Sequence, residues 1–255
     1  MKHSFFFLFL SFLITFSQYA YSDILRVGVA ASYPPVIFKH EGKIVGIEAS
    51  LAIEVAQLTG KTLQLIEIPW KNLEQSLNKG DIDVVMSGVS VTDERKKRVD
   101  FCQPYMTVGQ MVLVKADNIM NLASKVSMYS AGRRFGVEKN TTGEKYANAE
   151  FAASKITAFD SVKQGIQSLK SGDIDYFIHD APTIWQYTVL PRTQDESLFG
   201  LYEYMTEEPL AWAVKKGNTK LLEQLNSALK SMQSKGIVNN IVEQWIPLKI
   251  EVGNT

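Results

Sequence analysis

An α/β fold of two similar lobes with a ligand cleft between them follows from three features of this 255-residue sequence. Runs with strand character alternate with runs of helical spacing, the pattern of strand–helix–strand units. The set Leu77, Gly80, Asp81, Ile82, Asp83 recurs at the same spacing as Leu169, Gly172, Asp173, Ile174, Asp175, 92 residues later. Each copy follows a short amphipathic helix pattern and precedes an apolar run, VVMSG in the first half and YFIHD in the second. A looser echo pairs Val27-Gly28-Val29 with Phe135-Gly136-Val137.

Taken in order, the chain opens with Lys2 and His3, followed by a run from Phe5 to Phe16 that is apolar except for Ser11 and Thr15. Six of the thirteen phenylalanines fall in the first sixteen residues, and the stretch ends on the small-x-small triplet Ala20-Tyr21-Ser22. This is the layout of a cleaved secretory signal peptide over residues 1–22. The apolar run is short of the roughly 20 residues a spanning helix needs. The mature chain is therefore expected to begin at Asp23, to be exported to the periplasm, and to carry a net charge of −1 over 233 residues.

Leu25 to Ala30 reads as a strand, and Tyr33-Pro34-Pro35 then enforces an extended loop. Gly42 fits a turn. Leu51 to Leu58 has helical spacing and is stopped by Gly60. Thr62 to Ile68 is a strand, Leu73 to Leu77 a helix ending at Gly80, and Ile82 to Met86 a further strand. This alternation favours a largely parallel sheet in each lobe, with ligands bound at the carboxyl ends of the strands. The residues just past the echoed strands are Ser87 to Thr92 in the first half and His179 to Pro182 in the second.

Composition excludes several functions. Lys and Arg number 27 against 27 Asp and Glu, so the chain lacks the basic surplus of a nucleic-acid binder. One cysteine makes neither an internal disulfide nor a thiolate zinc site. Only His40 and His179 remain after the leader, too few for a histidine metal site, and no phosphate loop, nucleophile elbow, zincin or dinucleotide fingerprint occurs. No metal and no cofactor are expected. Cys102 and His179 could form a nucleophile and base, but a free Cys is more often packed in a core.

A binding constellation remains. Ser87, Gly88, Ser90 and Thr92 place hydroxyls and backbone N–H groups at a turn and helix start, with Arg95 close behind. That combination suits a carboxylate, which a guanidinium grips with two parallel charge-assisted hydrogen bonds. Alternatively, Arg95 is one charge on a solvated face with Lys96, Lys97 and Arg98. Asp180 ends an apolar strand and would be satisfied by an ammonium, or would serve as a helix N-cap ahead of Pro182. Thr141 and Thr142 stand at another helix start, suited to an anion or to capping. Tyr33 and Trp70 follow first-half strands, where their rings could flank a ligand or fill the core.

With these residues in place, the chain resembles the extracytoplasmic solute-binding proteins of polar amino-acid ABC transporters. The likeness runs through Tyr33-Pro34-Pro35, Gly42 to Gly46, Gly80 to Asp83, Thr92 to Lys97, Asp100-Phe101 and Pro104-Tyr105. It continues through Lys139 to Gly143, Gly172 to Asp175, His179 to Pro182, Lys235-Gly236 and Trp245. It implies a type II periplasmic-binding-protein fold, a hinged monomeric clamp that closes on one free amino acid and presents it to a membrane permease. The implied ligand contacts are Arg95, Thr142, Gly88 and Ser90 for the α-carboxylate, and Asp180 for the α-ammonium. Tyr33 and Trp70 would flank the side chain. The chain would cross between lobes near Tyr105–Gly109 and Glu207–Leu210, so that 23–108 and 209–255 form the first lobe and 109–208 the second.

The sequence departs from the family pattern at several points. Ala30 stands where many members have an acid used for basic ligands, which argues against Lys or His as ligand. Glu138 could pair with a basic ligand instead, or be merely exposed. Gly46 to Leu51 reads GIEASL in place of the usual G-F-D-x-D-L. The same scaffold also hosts exported cyclohexadienyl or arogenate dehydratases. In that alternative Glu138 or Glu208 would be the acid that protonates a leaving group.

Overall fold

Alternate burial along Leu25, Val27 and Val29 sets the first strand, Ile24–Val29, into a sheet covered on both sides. The computed structural model of the protein describes residues 23–189 and 194–246, so the expected signal peptide lies outside the described residues. In the first sheet the strand order is Thr62–Glu67, Ile24–Val29, Val84–Val85, Ala213–Lys215, Val99–Phe101. In the second it is Lys155–Phe159, Arg134–Glu138, Tyr176–Asp180, Gln110–Lys115, Leu198–Leu201. Each has two parallel pairings followed by two antiparallel ones. The expected largely parallel sheet is thus a mixed one, because one strand of each sheet, Ala213–Lys215 in the first and Gln110–Lys115 in the second, runs backwards.

The sequence echo has a three-part physical cause. Gly80 and Gly172 both end a helix in the left-handed conformation, at φ 83° in each case. In each, the following Asp amide returns to a carbonyl of the last turn, Asp81 to Ser76 and Asp173 to Ser168, both at 3.0 Å. The next Asp grips an arginine on the neighbouring strand. Asp83 accepts from the Arg26 backbone N–H at 2.8 Å and its guanidinium at 2.6 Å, and Asp175 accepts from Arg134 at 2.9 and 2.6 Å. The Ile between the two acids lies over a glycine. A Cβ at Gly28 would sit 2.2 Å from Ile82 Cδ1, and one at Gly136 would sit 2.3 Å from Ile174 Cδ1. The two halves therefore repeat a cap, a clamp and a knob-on-glycine contact.

Both passages of the chain between the sheets run through a short antiparallel ribbon, Met106–Val108 paired with Glu208–Leu210. Its first-sheet end is held by Val91 N–H to Pro209 O and Tyr105 N–H to Leu210 O, at 2.8 and 3.0 Å. Trp212, fully buried, stacks on Tyr105 at 5.9 Å between ring centroids. At the other end, Gly109 passes so close to the Thr206 carbonyl that a Cβ would lie 2.2 Å from its oxygen. The hairpin over Ile37–His40 and Lys43–Val45 turns at Glu41 and Gly42, φ 49° and 76°, as the Gly42 turn requires. The first long helix, Ile47–Thr59, starts four residues earlier than its apolar spacing predicts, directly after Gly46.

Candidate functional site

The carboxyl ends of the parallel strands in the two sheets face one another across a cavity. Its walls include all seven residues expected to bind a ligand: Tyr33, Trp70, Gly88, Ser90, Arg95, Thr142 and Asp180. Ala30, Ser32, Ser87, Gln110, Glu138, Thr141, Val162 and His179 complete it. The free space between these walls is about 40 Å³, room for a few water molecules.

On the first-sheet side, Gly88 is glycine for two reasons. Its φ is 64°, and a Cβ there would lie 2.4 Å from the Tyr33 ring. Ser87 Oγ accepts the Ala30 N–H at 2.9 Å, and the Gly88 N–H donates to Glu48 Oε2 at 2.7 Å. Glu48 is fully buried, and burial pushes its carboxyl up to about 8, with Tyr105 and the Gly88 amide offsetting only part of this. Thr92 caps the short helix Asp93–Lys96 by accepting the Arg95 N–H at 3.2 Å. From this helix Lys96 points to solvent, as do Lys97 and Arg98 just beyond it, while Arg95 turns inward. Its guanidinium donates to the Ser90 carbonyl at 3.0 Å and the Asn140 carbonyl at 3.4 Å, and lies 5.5 Å from the centre of the Trp70 ring. Burial lowers its pKa, and the Asp180 and Glu208 carboxylates counter that.

On the second-sheet side, the helix Thr142–Glu150 separates the roles of its two threonines. Thr141 is the N-cap, accepting the Glu144 N–H at 3.2 Å, while Glu144 returns to accept the Asn140 N–H at 2.7 Å. Thr142 is left to accept from Gln110 Nε2 at 3.3 Å. Asp180 occupies the N-cap position of Ala181–Thr188, yet its side chain caps nothing. It accepts instead from the Tyr33 hydroxyl at 2.7 Å and from Gln110 Nε2. Burial raises the Asp180 pKa, with a further push from Glu208, against His179 and the two hydrogen bonds. His179 Nδ1 accepts the Asp180 N–H at 2.8 Å, and Nε2 pairs with Glu138 Oε2 at 3.1 Å. Burial opposes the charged imidazole, but the Glu138 bond and the neighbouring carboxylates outweigh it and raise its pKa.

Two of the expected roles take a different geometry. The Tyr33 ring flanks the cavity, but its hydroxyl crosses to Asp180, and Trp70 stacks on Arg95 while donating Nε1–H to Asn140 O at 3.2 Å. Cys102 does not line the cavity. It is buried, its amide bonds to Trp212 O at 2.8 Å, and burial pushes its thiol up to about 12, so it pairs with no base. Gln110 is not among the residues singled out from the sequence. It is fully buried at the start of an apolar strand, QMVLVK, and its amide ties Asp180, Thr142 and Glu208 together. A glutamine opening an otherwise apolar run was the one signal available. Among the described residues no group of three or more His, Cys, Asp or Glu could hold a metal ion.

Residues 25–248 match the profile of the bacterial extracellular solute-binding proteins, family 3. The chain is 30% identical over 222 residues to the L-cystine-binding protein TcyJ of Escherichia coli, covering 87% of this chain and 82% of that one. It is 30% identical over 237 residues to the ABC transporter arginine-binding protein 1 of the same organism, covering 89% and 92%. Among solved structures, an ancestral amino acid-binding protein described as a precursor of cyclohexadienyl dehydratase superposes with a TM-score of 0.80. The two are 34% identical, with 87% of this chain and 95% of that one covered.

Proposed function

The chain belongs to the bacterial extracellular solute-binding proteins of family 3, and we propose that it captures a free amino acid between its lobes and delivers it to an ABC importer. One observation carries the reading. A cation, Arg95, and an anion, Asp180, are held on opposite walls of one cavity, the arrangement a zwitterionic amino-acid head requires. Arg95 would take the α-carboxylate with Thr142, Ser90 and the Gly88 amide, and Asp180 the α-ammonium. Tyr33 and Trp70 would border the side chain.

The ligand enters as the lobes part and Tyr33 releases Asp180, since the free space between the walls is only about 40 Å³. In this reading residues 23–108 and 209–255 move as one body and 109–208 as the other, about the 106–108/208–210 ribbon. The protein acts as a monomer, exported by a signal peptide over residues 1–22, and its closed form is what the permease recognises. It is a binding protein and not an enzyme. Its curated relatives are solute-binding proteins.

A thermal-shift screen against the common amino acids tests this. Ligand at 100 times its dissociation constant adds about 2.7 kcal/mol of stability. Arg95→Ala is expected to abolish that shift while keeping the circular dichroism of the wild type. If no amino acid raises the melting temperature, the reading is wrong. If Arg95→Ala binds unchanged, the carboxylate anchor lies elsewhere.

A further inference from the structure

We propose that the amino acid bound here carries a positively charged side chain, and that Glu138 receives that charge. The inference rests on the amino-acid reading above and follows from the balance of charge around the cavity.

Three carboxylates meet at the site: Asp180 and Glu138 in its wall, and Glu208 behind Gln110. Against them stand one guanidinium, Arg95, and one imidazole, His179. With a neutral His179 the carboxylates exceed the cations by two, and with a protonated His179 by one. A zwitterionic head leaves that excess unchanged, because Arg95 and Asp180 each meet one of its charges. Sealing a net negative charge away from water is costly unless a cation accompanies it. A ligand with net positive charge supplies that cation, and an acidic ligand would add to the repulsion.

The unused acceptor atoms point the same way. Asp180 spends both oxygens, one on Tyr33 and one on Gln110. Glu138 spends only Oε2, on His179, and its Oε1 takes no hydrogen bond from any described residue. Glu208 Oε2 is buried without a partner. The opposite wall offers no rival acid, since Ala30, Ser32, Ser87 and Ser90 carry no charge. A missing acid at Ala30 therefore does not exclude a basic ligand. The acceptor comes from the strand Arg134–Glu138 on the other lobe.

The test is titration calorimetry on the mature protein with arginine, lysine, glutamine, leucine and glutamate, repeated with Glu138→Gln. At least one of arginine and lysine should bind about tenfold or more tightly than any neutral or acidic amino acid. Glu138→Gln should weaken that ligand by a similar factor, with glutamine affinity changed less than about threefold. A neutral or acidic amino acid that binds the wild type more tightly than both cationic ones overturns the proposal and leaves the amino-acid reading standing. A Glu138→Gln loss equal for cationic and neutral ligands overturns the role of Glu138. Should Glu138→Gln fail to fold, the wild-type panel alone decides the ligand class. Failure of every amino acid to bind removes the underlying reading as well.

Discussion

Arg95 is one of four consecutive basic residues, and nothing in that run distinguishes it locally from Lys96, Lys97 or Arg98. Its inward turn depends on the Ser90 and Asn140 carbonyls and the Trp70 ring, two of which lie far away in sequence. Glu48 shows a related limit. Its place in GIEASL marks a family landmark, but its burial and its grip on Gly88 exist only in three dimensions. The Glu48 carboxyl titrates at about 8 in the folded protein and near its ordinary value of 4.5 when unfolded. Between these pH values the folded chain keeps a proton that the unfolded chain has released. The stability owed to Glu48 therefore falls as pH rises from about 4.5 to about 8, and is level beyond. Glu48→Gln keeps an acceptor for the Gly88 amide and cannot titrate. Urea melts should show the variant gaining on the wild type by about 1 kcal/mol or more between pH 5 and pH 8. Curves that stay parallel would mean that Glu48 is ionised in the folded protein.

At the scale of elements, the glycine stops at Gly60, Gly80 and Gly172 and the strands around Gly28 and Gly136 were legible, because caps and apolar alternation are local. The Leu77 and Leu169 echo was legible too. Its arginine partners were present in the sequence as Arg26-Val27-Gly28 and Arg134-Phe135-Gly136, but pairing them with Asp83 and Asp175 needs the strand order. Strand lengths were less readable. The run Ile82 to Met86 contributes Val84–Val85 as a strand, with the Asp83 and Met86 amides reaching carbonyls of the neighbouring strand at 2.8 and 3.1 Å, and Ile82 covers Gly28. That contact is testable. Gly28→Ala places a methyl against the buried Ile82 Cδ1 and is expected to cost about 1–3 kcal/mol in chemical denaturation. Ile82→Val removes the clashing atom, so the double variant should be more stable than the sum of the single losses by about 0.5 kcal/mol or more. Strict additivity would show that the strand shifts instead and that the knob-on-glycine contact carries no energy.

Over the whole molecule, the contacts across the cleft include an edge-to-face pair of the Tyr33 and His179 rings, a Lys145–Glu94 ion pair at 3.9 Å and several hydrogen bonds. Tyr33 reaches Asp180, and Trp70 and Arg95 both reach the Asn140 carbonyl. The cleft could be anticipated from two strand ends facing each other, whereas its degree of closure depends on these bonds. Tyr33→Phe deletes the donor to Asp180 and keeps the ring over Gly88. Small-angle scattering on the ligand-free variant should give a larger radius of gyration than the wild type, with the difference vanishing at saturating amino acid. Identical radii without ligand would show that the hydroxyl does not hold the lobes together.

The ribbon of Met106–Val108 and Glu208–Leu210 has a mechanical consequence. Its hydrogen bonds lie across the two strands, so sliding one strand past the other would break them, while bending or twisting the pair together would not. The joint is therefore stiff to shear and soft to flexure, like a leaf spring. Glu208, on one strand of it, accepts from Gln110 in the cavity wall, so a single hydrogen bond links the ribbon directly to that wall.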